Sequence, residues 1–352
     1  MQTASSLTGN LMLLQVVRCF AALVVVWHHT ESTPQFGNYG VDLFFVLSGC
    51  IMSMLMMRSP TPSEFLRRRL IRIVPMYLLA TLALLLGFLI APSIRRTGLT
   101  VSWNEILQSL LFVPYENSRG ELFPFLSVGW TLNFEIAFYL CCTAGLILSR
   151  KFSTVLAAIL VVSLFGVAHL FPKSATGRFF SDPIIFEFIA GMLIYKFWLV
   201  TRSCGHVFTI TVGLLGLISL IALPFAEQLI VGSIGPGIQS YERPLYLLPF
   251  AAIIVYAALL LEPYTRNLGQ RWLTLGVRIG DASYAIYLTH MFVLTSIAKF
   301  SNVVLGKALA WPPVALASVL IATFIGIVVH EYIDAPLQEL FRRRTFPRTI
   351  TK

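Results

Sequence analysis

Two residues in the first apolar stretch have the types and spacing for acid–base chemistry. They are Arg18 and His29, within LMLLQVVRCFAALVVVWHH from Leu11 to His29. A helix advances about 100° and about 1.5 Å per residue, so this separation puts the two side chains about 20° apart in azimuth and about 16 Å apart along the axis. An arginine at that depth of an apolar helix is costly in lipid and is better placed facing a protein interior. Its guanidinium offers forked donors to an anion, and a histidine titrates near neutral pH. Together they suit general-base chemistry beside an anion-stabilising cation. The alternative is structural: an arginine reaching inward along its helix and a histidine at the interface. Taken alone, the stretch fits both.

Other polar residues stand at similar depth. Asp42 opens the second apolar stretch, GVDLFFVLSGCIM. It can cap a helix N-terminus, or it can orient His29 and stabilise its protonated form. Ser48-Gly49 is a small pair that lets helices approach closely, which makes Ser48 a poor nucleophile candidate. In SEFLRRRLIRIVPMYLL, Arg69 and Arg72 are three apart and share a helical face. Two guanidinium forks on one face suit a diphosphate. The competing explanation is that these arginines hold a cytoplasmic loop inside against anionic headgroups. Glu135, Glu187 and His290 lie within apolar segments. A buried carboxylate needs a partner or a proton, and an interior arginine is the plain partner for Glu135. A membrane-buried histidine is a functional candidate, although it can simply bond a neighbouring carbonyl.

The elements that position these groups are membrane spans. The chain is 57% hydrophobic and 12% charged, with a mean hydropathy of +0.80. Soluble domains carry about 25% charged residues, so this is an all-α polytopic membrane protein. Hydropathy places ten spans at 11–29, 41–57, 73–91, 128–148, 153–171, 183–200, 206–224, 245–262, 283–300 and 312–334. Most basic residues fall on one side: Arg58 to Arg72, Arg150, Lys151, Lys196, Arg202, Arg266, Arg271, Arg278, Arg342 to Arg344, Arg348 and Lys352. Arg95, Arg96, Arg119, Lys173, Arg178, Arg243, Lys299 and Lys307 fall on the other. The positive-inside rule then makes both termini cytoplasmic, and it accounts for the net charge of +10 without nucleic acid. Residues 1–10 hold no basic residue, so no cleaved leader is expected. The connection 92–127 contains an amphipathic candidate, Asn104 to Val113. Four of the five cysteines sit in spans and none forms a C-x-x-C, so no disulfide or metal cluster is expected. The whole chain, 1–352, reads as a single transmembrane domain.

Taken together the strings resemble the acyltransferase-3 family of integral membrane acyltransferases. Arg18 to His29, within RCFAALVVVWHH, matches the family's arginine, ten residues, then histidine; His28 is one short of that spacing. GVDLFFVLSG stands at Gly40 to Gly49. Arg69, Arg72, Ile73, Pro75 and Tyr77 match the basic string, and Trp130, Thr131, Leu132 and Glu135 the W-T-L-x-x-E string. Ser283, Tyr284, Tyr287, Leu288 and His290 match a fifth. The resemblance runs from residue 14 to about residue 343, and SGCIM, VGWTLNFE and SDPIIFEFIAGM look like the exopolysaccharide-acetylating branch. Departures are Cys50 after Ser48-Gly49, Arg18-Cys19 in place of R-G, and Asp334-Ala335-Pro336 in place of E-x-P.

The resemblance implies transfer of an acyl group, usually acetyl, from cytoplasmic acetyl-CoA to a sugar hydroxyl of a surface or exported glycan. It implies a bacterial inner-membrane location. His29 would act as general base, Asp42 would orient it, and Arg18 would stabilise an oxyanion. Arg69 and Arg72 would hold the CoA phosphates, the pantetheine arm would reach into the bundle, and Glu135 and His290 would complete the polar interior. Covalent transfer through an acetyl-histidine and direct transfer both fit. A transporter or flippase is the rival class, since carriers also bury Arg, Glu and His. It would call for inverted repeats, which the sequence lacks, and would not need a diphosphate clamp. A zinc site at His28 and His29 lacks further ligands at metal spacing.

Overall fold

A computed structural model describes residues 11–30, 36–58, 61–90, 102–234, 243–267, 270–305 and 309–345. Among these residues every regular element is helical. They are α1 (Met12–His28), α2 (Gly40–Arg58), α3 (Pro62–Ile90), α4 (Trp103–Leu110), α5 (Trp130–Leu148), α6 (Ser153–His169) and α7 (Ala175–Phe180). There follow α8 (Phe186–Thr201), α9 (His206–Ile234), α10 (Arg243–Leu261), α11 (Gln270–Asp281), α12 (Ser283–Phe300), α13 (Pro312–Val329) and α14 (Ala335–Thr345). Seven segments among them are long and apolar enough to cross a membrane, and α1 and α6 are shorter apolar helices. Outward faces carry large apolar side chains, such as Leu214, Leu217, Ile218, Ile221 and Phe225 on α9. In water such a face would be unfavourable, and in lipid it is the expected one. The protein is a polytopic membrane protein. The terminal segments and Arg95, Arg96, Lys307, Arg348 and Lys352 lie outside the described residues.

The chain forms two compact units, one from residues 1–55 and 184–328, the other from 56–183 and 329–352. In the first, α1 is central. Its Leu14, Ala21 and Val24 join a core with residues of α2, α8, α9 and α10, such as Leu43, Val46, Tyr195, Leu223 and Ala251. Its Ala22 and Val26 join a second core with Ile286 and Val293 of α12 and Val319 and Ala322 of α13. Small residues on both sides of one helix permit this double burial. The N-terminus of α1 is fixed by Glu262, whose carboxylate accepts from the Met12 and Leu13 amides at 2.6 and 2.9 Å. A carboxylate there satisfies first-turn donors that the helix itself cannot.

Gly49 and Gly191 let α2 and α8 cross at backbone contact. A Cβ on Gly49 would lie 2.0 Å from the Phe188 carbonyl oxygen, and one on Gly191 2.0 Å from that of Val46. The small-pair reading of Ser48-Gly49 is therefore borne out. Gly49→Ala is expected to destabilise the protein by at least about 1–3 kcal/mol, seen as a lower unfolding midpoint in detergent.

In the second unit α3 begins eleven residues earlier than the hydropathy boundary at 73 and runs through Pro75. Arg67, Arg68, Arg69 and Arg72 are thus helical, not in a loop. Arginine is a good helix former, and Glu64 pairs with Arg68 one turn on, so charge shortens the apolar window without ending the helix. Tyr77 fastens α3 to its neighbours. Its hydroxyl donates to the Ser109 carbonyl oxygen on α4 at 3.2 Å, and a Cβ on Gly129 would meet its ring at 2.6 Å. Ser109 Oγ lies 3.0 Å from the Tyr115 hydroxyl, where burial pushes that group up to about 12. Tyr115 therefore stays neutral at working pH.

The amphipathic candidate at 104–113 is α4, started by a capping box of Ser102 and Glu105. Trp103, Leu107 and Leu111 are exposed along one side of it, as an interfacial helix requires. The segment 263–282, read from sequence as a connection, contains α11. It packs along α1 through Gly276 against Val16 and Gly280 against the Gln15 carbonyl. It is short, and its polar residues Gln270, Arg271, Arg278 and Asp281 lower its average hydropathy below that of a span. Pro224, where the hydropathy span 206–224 ends, lies inside α9, which continues to Ile234.

Candidate active site

In the first unit, His29 is the C-terminal cap of α1 with helical backbone angles, φ −79° and ψ −2°. The register from Arg18 therefore carries to it, and both are half-buried. His29 Nδ1 lies 2.8 Å from the Val25 carbonyl oxygen. A carbonyl only accepts, so Nδ1 carries the proton and the lone pair of the neutral ring is on Nε2. His290, fully buried on α12, has its Nδ1 3.3 Å from the Ile286 carbonyl oxygen. Its Nε2 has no hydrogen-bond partner among the described residues. The rings of His29 and His290 meet edge to face with centroids 4.9 Å apart. His28 stands 5.3 Å from His29 across a perpendicular contact. Two imidazoles therefore share a tautomer and adjoin one another.

Asp42 lies fully buried in the first turn of α2. Its side-chain hydrogen bonds go to Arg243 at the start of α10. Arg243 Nη2 donates to Oδ2 at 2.5 Å and Nε to Oδ1 at 3.3 Å, while Nη2 also reaches the Asn38 carbonyl oxygen at 3.0 Å. The Val25 carbonyl holds the His29 Nδ1 proton, the task the sequence reading gave to Asp42. Arg243, counted from sequence among exterior loop cations, is 7% exposed and lies in the electrostatic field of Asp42, Glu187 and Glu227. Removing one partner of such a pair strands a buried charge. Arg243→Ala is expected to cost about 3–5 kcal/mol, read as a lower unfolding midpoint. Replacing Asp42 and Arg243 together by Leu and Met is expected to recover only part of it, because Arg243 also faces Glu187 and Glu227 and holds the Asn38 carbonyl.

The second unit gathers the basic pair with Glu135. Arg69 and Arg72 project from α3, and Arg69 lies in electrostatic range of Glu135 and Tyr139 of α5. Tyr139 donates to Glu135 Oε1 at 2.5 Å and also feels Arg72. Arg68 is tied back to Glu64 on its own helix, which separates its role from that of Arg69. Two guanidiniums beside one carboxylate keep excess positive charge, a suitable field for phosphates. Among the described residues no group of three or more His, Cys, Asp and Glu is arranged to hold a metal ion.

The model of one known family, the acyltransferase domain, matches residues 14–331, spanning α1 to the residues just beyond α13. The chain belongs to the acyltransferase-3 family. As an acyltransferase-3 protein it is an O-acyltransferase enzyme. The family chain is 35% identical to the exopolysaccharide production protein ExoZ of Rhizobium meliloti, over 91% of this chain and 96% of that protein. It is 26% identical to the acyltransferase MdmB of Streptomyces mycarofaciens, over 96% and 92% of the two chains. It is 22% identical to the O-acetyltransferase OatA of Staphylococcus aureus, covering 93% of this chain and 57% of OatA. No solved structure matches it.

Arg243, Glu227 and Tyr139 of this acyltransferase-3 chain were not legible from sequence as site residues. Arg243 and Asp42 are 201 positions apart, and no local pattern links them. Glu227 was legible only as a carboxylate inside an apolar run, and the early end given to that span removed it.

Proposed function

We propose that the protein transfers an acetyl group from acyl-CoA to a hydroxyl of a cell-surface or exported glycan, with His29 as general base. The observation that carries this reading is the His29 ring, whose Nδ1 proton is held by the Val25 carbonyl so that Nε2 is the basic atom. In the reaction Nε2 takes the proton of the acceptor hydroxyl. The oxygen attacks the thioester carbonyl, the C–S bond breaks, and the departing thiolate recovers the proton from the imidazolium. Arg18 stabilises the oxygen that becomes negative on the way. Asp42 positions rather than reacts, through its fork with Arg243. His290 Nε2 offers the reacting groups a second acceptor. Arg69 and Arg72 bind the phosphates of the donor, with Glu135 and Tyr139 setting their orientation.

The glycan acceptor is supported by the likeness to the exopolysaccharide production protein ExoZ and the O-acetyltransferase OatA. Ten spans, cytoplasmic termini and a bacterial inner-membrane location belong to the same reading, since a cytoplasmic donor and an exported acceptor meet at that membrane. The test is the ester content of polysaccharide from cells with the gene deleted and then restored. O-acetyl resonances absent in the deletion and returned by the wild type, but not by His29→Ala, are expected. Unchanged O-acetylation on deletion of the gene, in a strain without a second copy, would refute the proposal.

A further inference from the structure

Between His29 and Asp42, residues Phe36 to Tyr39 form a turn against the last turns of α1. Gly37 has φ +113°, and a Cβ there would lie 2.0 Å from the Val24 carbonyl oxygen. A Cβ on Gly40 would lie 2.5 Å from the Ala21 carbonyl oxygen. Phe36 stacks on Trp27 at 5.7 Å, and Tyr39 on Phe20 at 6.1 Å. The backbone contact is thus one residue from Val25, the residue whose carbonyl fixes His29. Positive φ and close contact cost free energy, so the turn needs outside support.

That support comes from two distant helices. Glu227 of α9 accepts from the Gly37 amide at 2.6 Å and from the Tyr39 amide, and is 3% exposed. Arg243 of α10 donates to the carbonyl of Asn38, the residue between them. Two peptide groups of the turn, 36–37 and 38–39, are therefore held by one carboxylate and one guanidinium, the second of them at both its amide and its carbonyl. Nothing in an apolar helix calls for a buried carboxylate at 227, and burial without a purpose would be costly.

We infer that Glu227 is a positioning residue for acyl transfer: with Arg243 it clamps the 37–39 turn onto α1 and so fixes the ring of His29. The inference rests on His29 being the base. What Glu227 supplies is acceptance of two amide hydrogen bonds at a given reach. Its amide isostere retains an oxygen that accepts two hydrogen bonds, whereas aspartate keeps the charge and loses the reach.

The experiment compares Glu227→Gln and Glu227→Asp with wild type and His29→Ala, using acetyl-CoA as the probe donor and hydrogen–deuterium exchange across residues 36–42 as a second readout. Glu227→Gln is expected to hold kcat within about threefold of wild type, with exchange unchanged. Glu227→Asp is expected to lower kcat about 100-fold, the cost of a small misplacement, with donor KM unchanged and faster exchange in 36–42. Both variants should remain folded, since each preserves a polar group at the site. The reverse order, with aspartate active and glutamine inactive, would overturn the clamp in favour of a charge role. Wild-type turnover and exchange in both would overturn it outright. Should His29→Ala retain turnover, the function proposal fails while the exchange data still decide whether Glu227 holds the turn.

Discussion

His29→Ala is expected to lower the rate of acyl transfer by about 10²–10⁴-fold, the usual contribution of a positioned general base. The fold should survive, because His29 follows α1 and its side-chain hydrogen bond to Val25 lies within that helix end. Purified yield and unfolding midpoint should match wild type. His28→Ala is the control. Its ring adjoins His29, yet its Nδ1 is already without a hydrogen-bond partner among the described residues, so truncation strands little. A rate within about tenfold of wild type is expected for it. Equal loss in both variants would mean that the two histidines act as a structural pair. A full rate in His29→Ala would remove the base from the mechanism.

The second large effect is on the donor. Arg69→Ala and Arg72→Ala are each expected to raise the KM for acetyl-CoA by about 10–100-fold, the value of a charge-assisted hydrogen bond or two. The acceptor KM should not move. Lysine at either position keeps charge but loses the fork, and should fall between. The informative substrate is acetyl-pantetheine, which has the thioester arm without the nucleotide phosphates. It should be used poorly by wild type and no worse by the variants. If the variants impaired acetyl-pantetheine as strongly as acetyl-CoA, Arg69 and Arg72 would be holding α3 against α5 through Glu135 and Tyr139, not binding phosphate.

Much of the helical plan was legible because bilayer length is written as apolar length. The ten apolar stretches each coincide with a helix, and α2, α5 and α12 agree with their expected ends to within about two residues, a good result for boundaries. The register of Arg18 with His29 was legible for the same reason: α1 carries Arg18, and His29 caps it with helical backbone angles. What escaped was charge inside helices. The start of α3 was hidden by its arginines and α11 by its short length and polar residues, since a hydropathy average cannot tell a polar helix from a loop. The partner of Asp42 escaped for a different reason. Arg243 and Glu227 reach the 37–42 segment from helices that adjoin it only after packing, and sequence spacing carries no trace of such contacts. His290 was legible as a buried histidine, but its 4.9 Å approach to His29 was not.

The most direct test of the account is release of the CoA thiol from acetyl-CoA by the purified protein in lipid nanodiscs, with and without an unacetylated exopolysaccharide acceptor. The account predicts slow release alone, faster release with acceptor, acetyl ester appearing on the glycan in equal amount, and loss of both signals in His29→Ala. Acceptor-independent release with no ester formed, or equal release by His29→Ala, would contradict it.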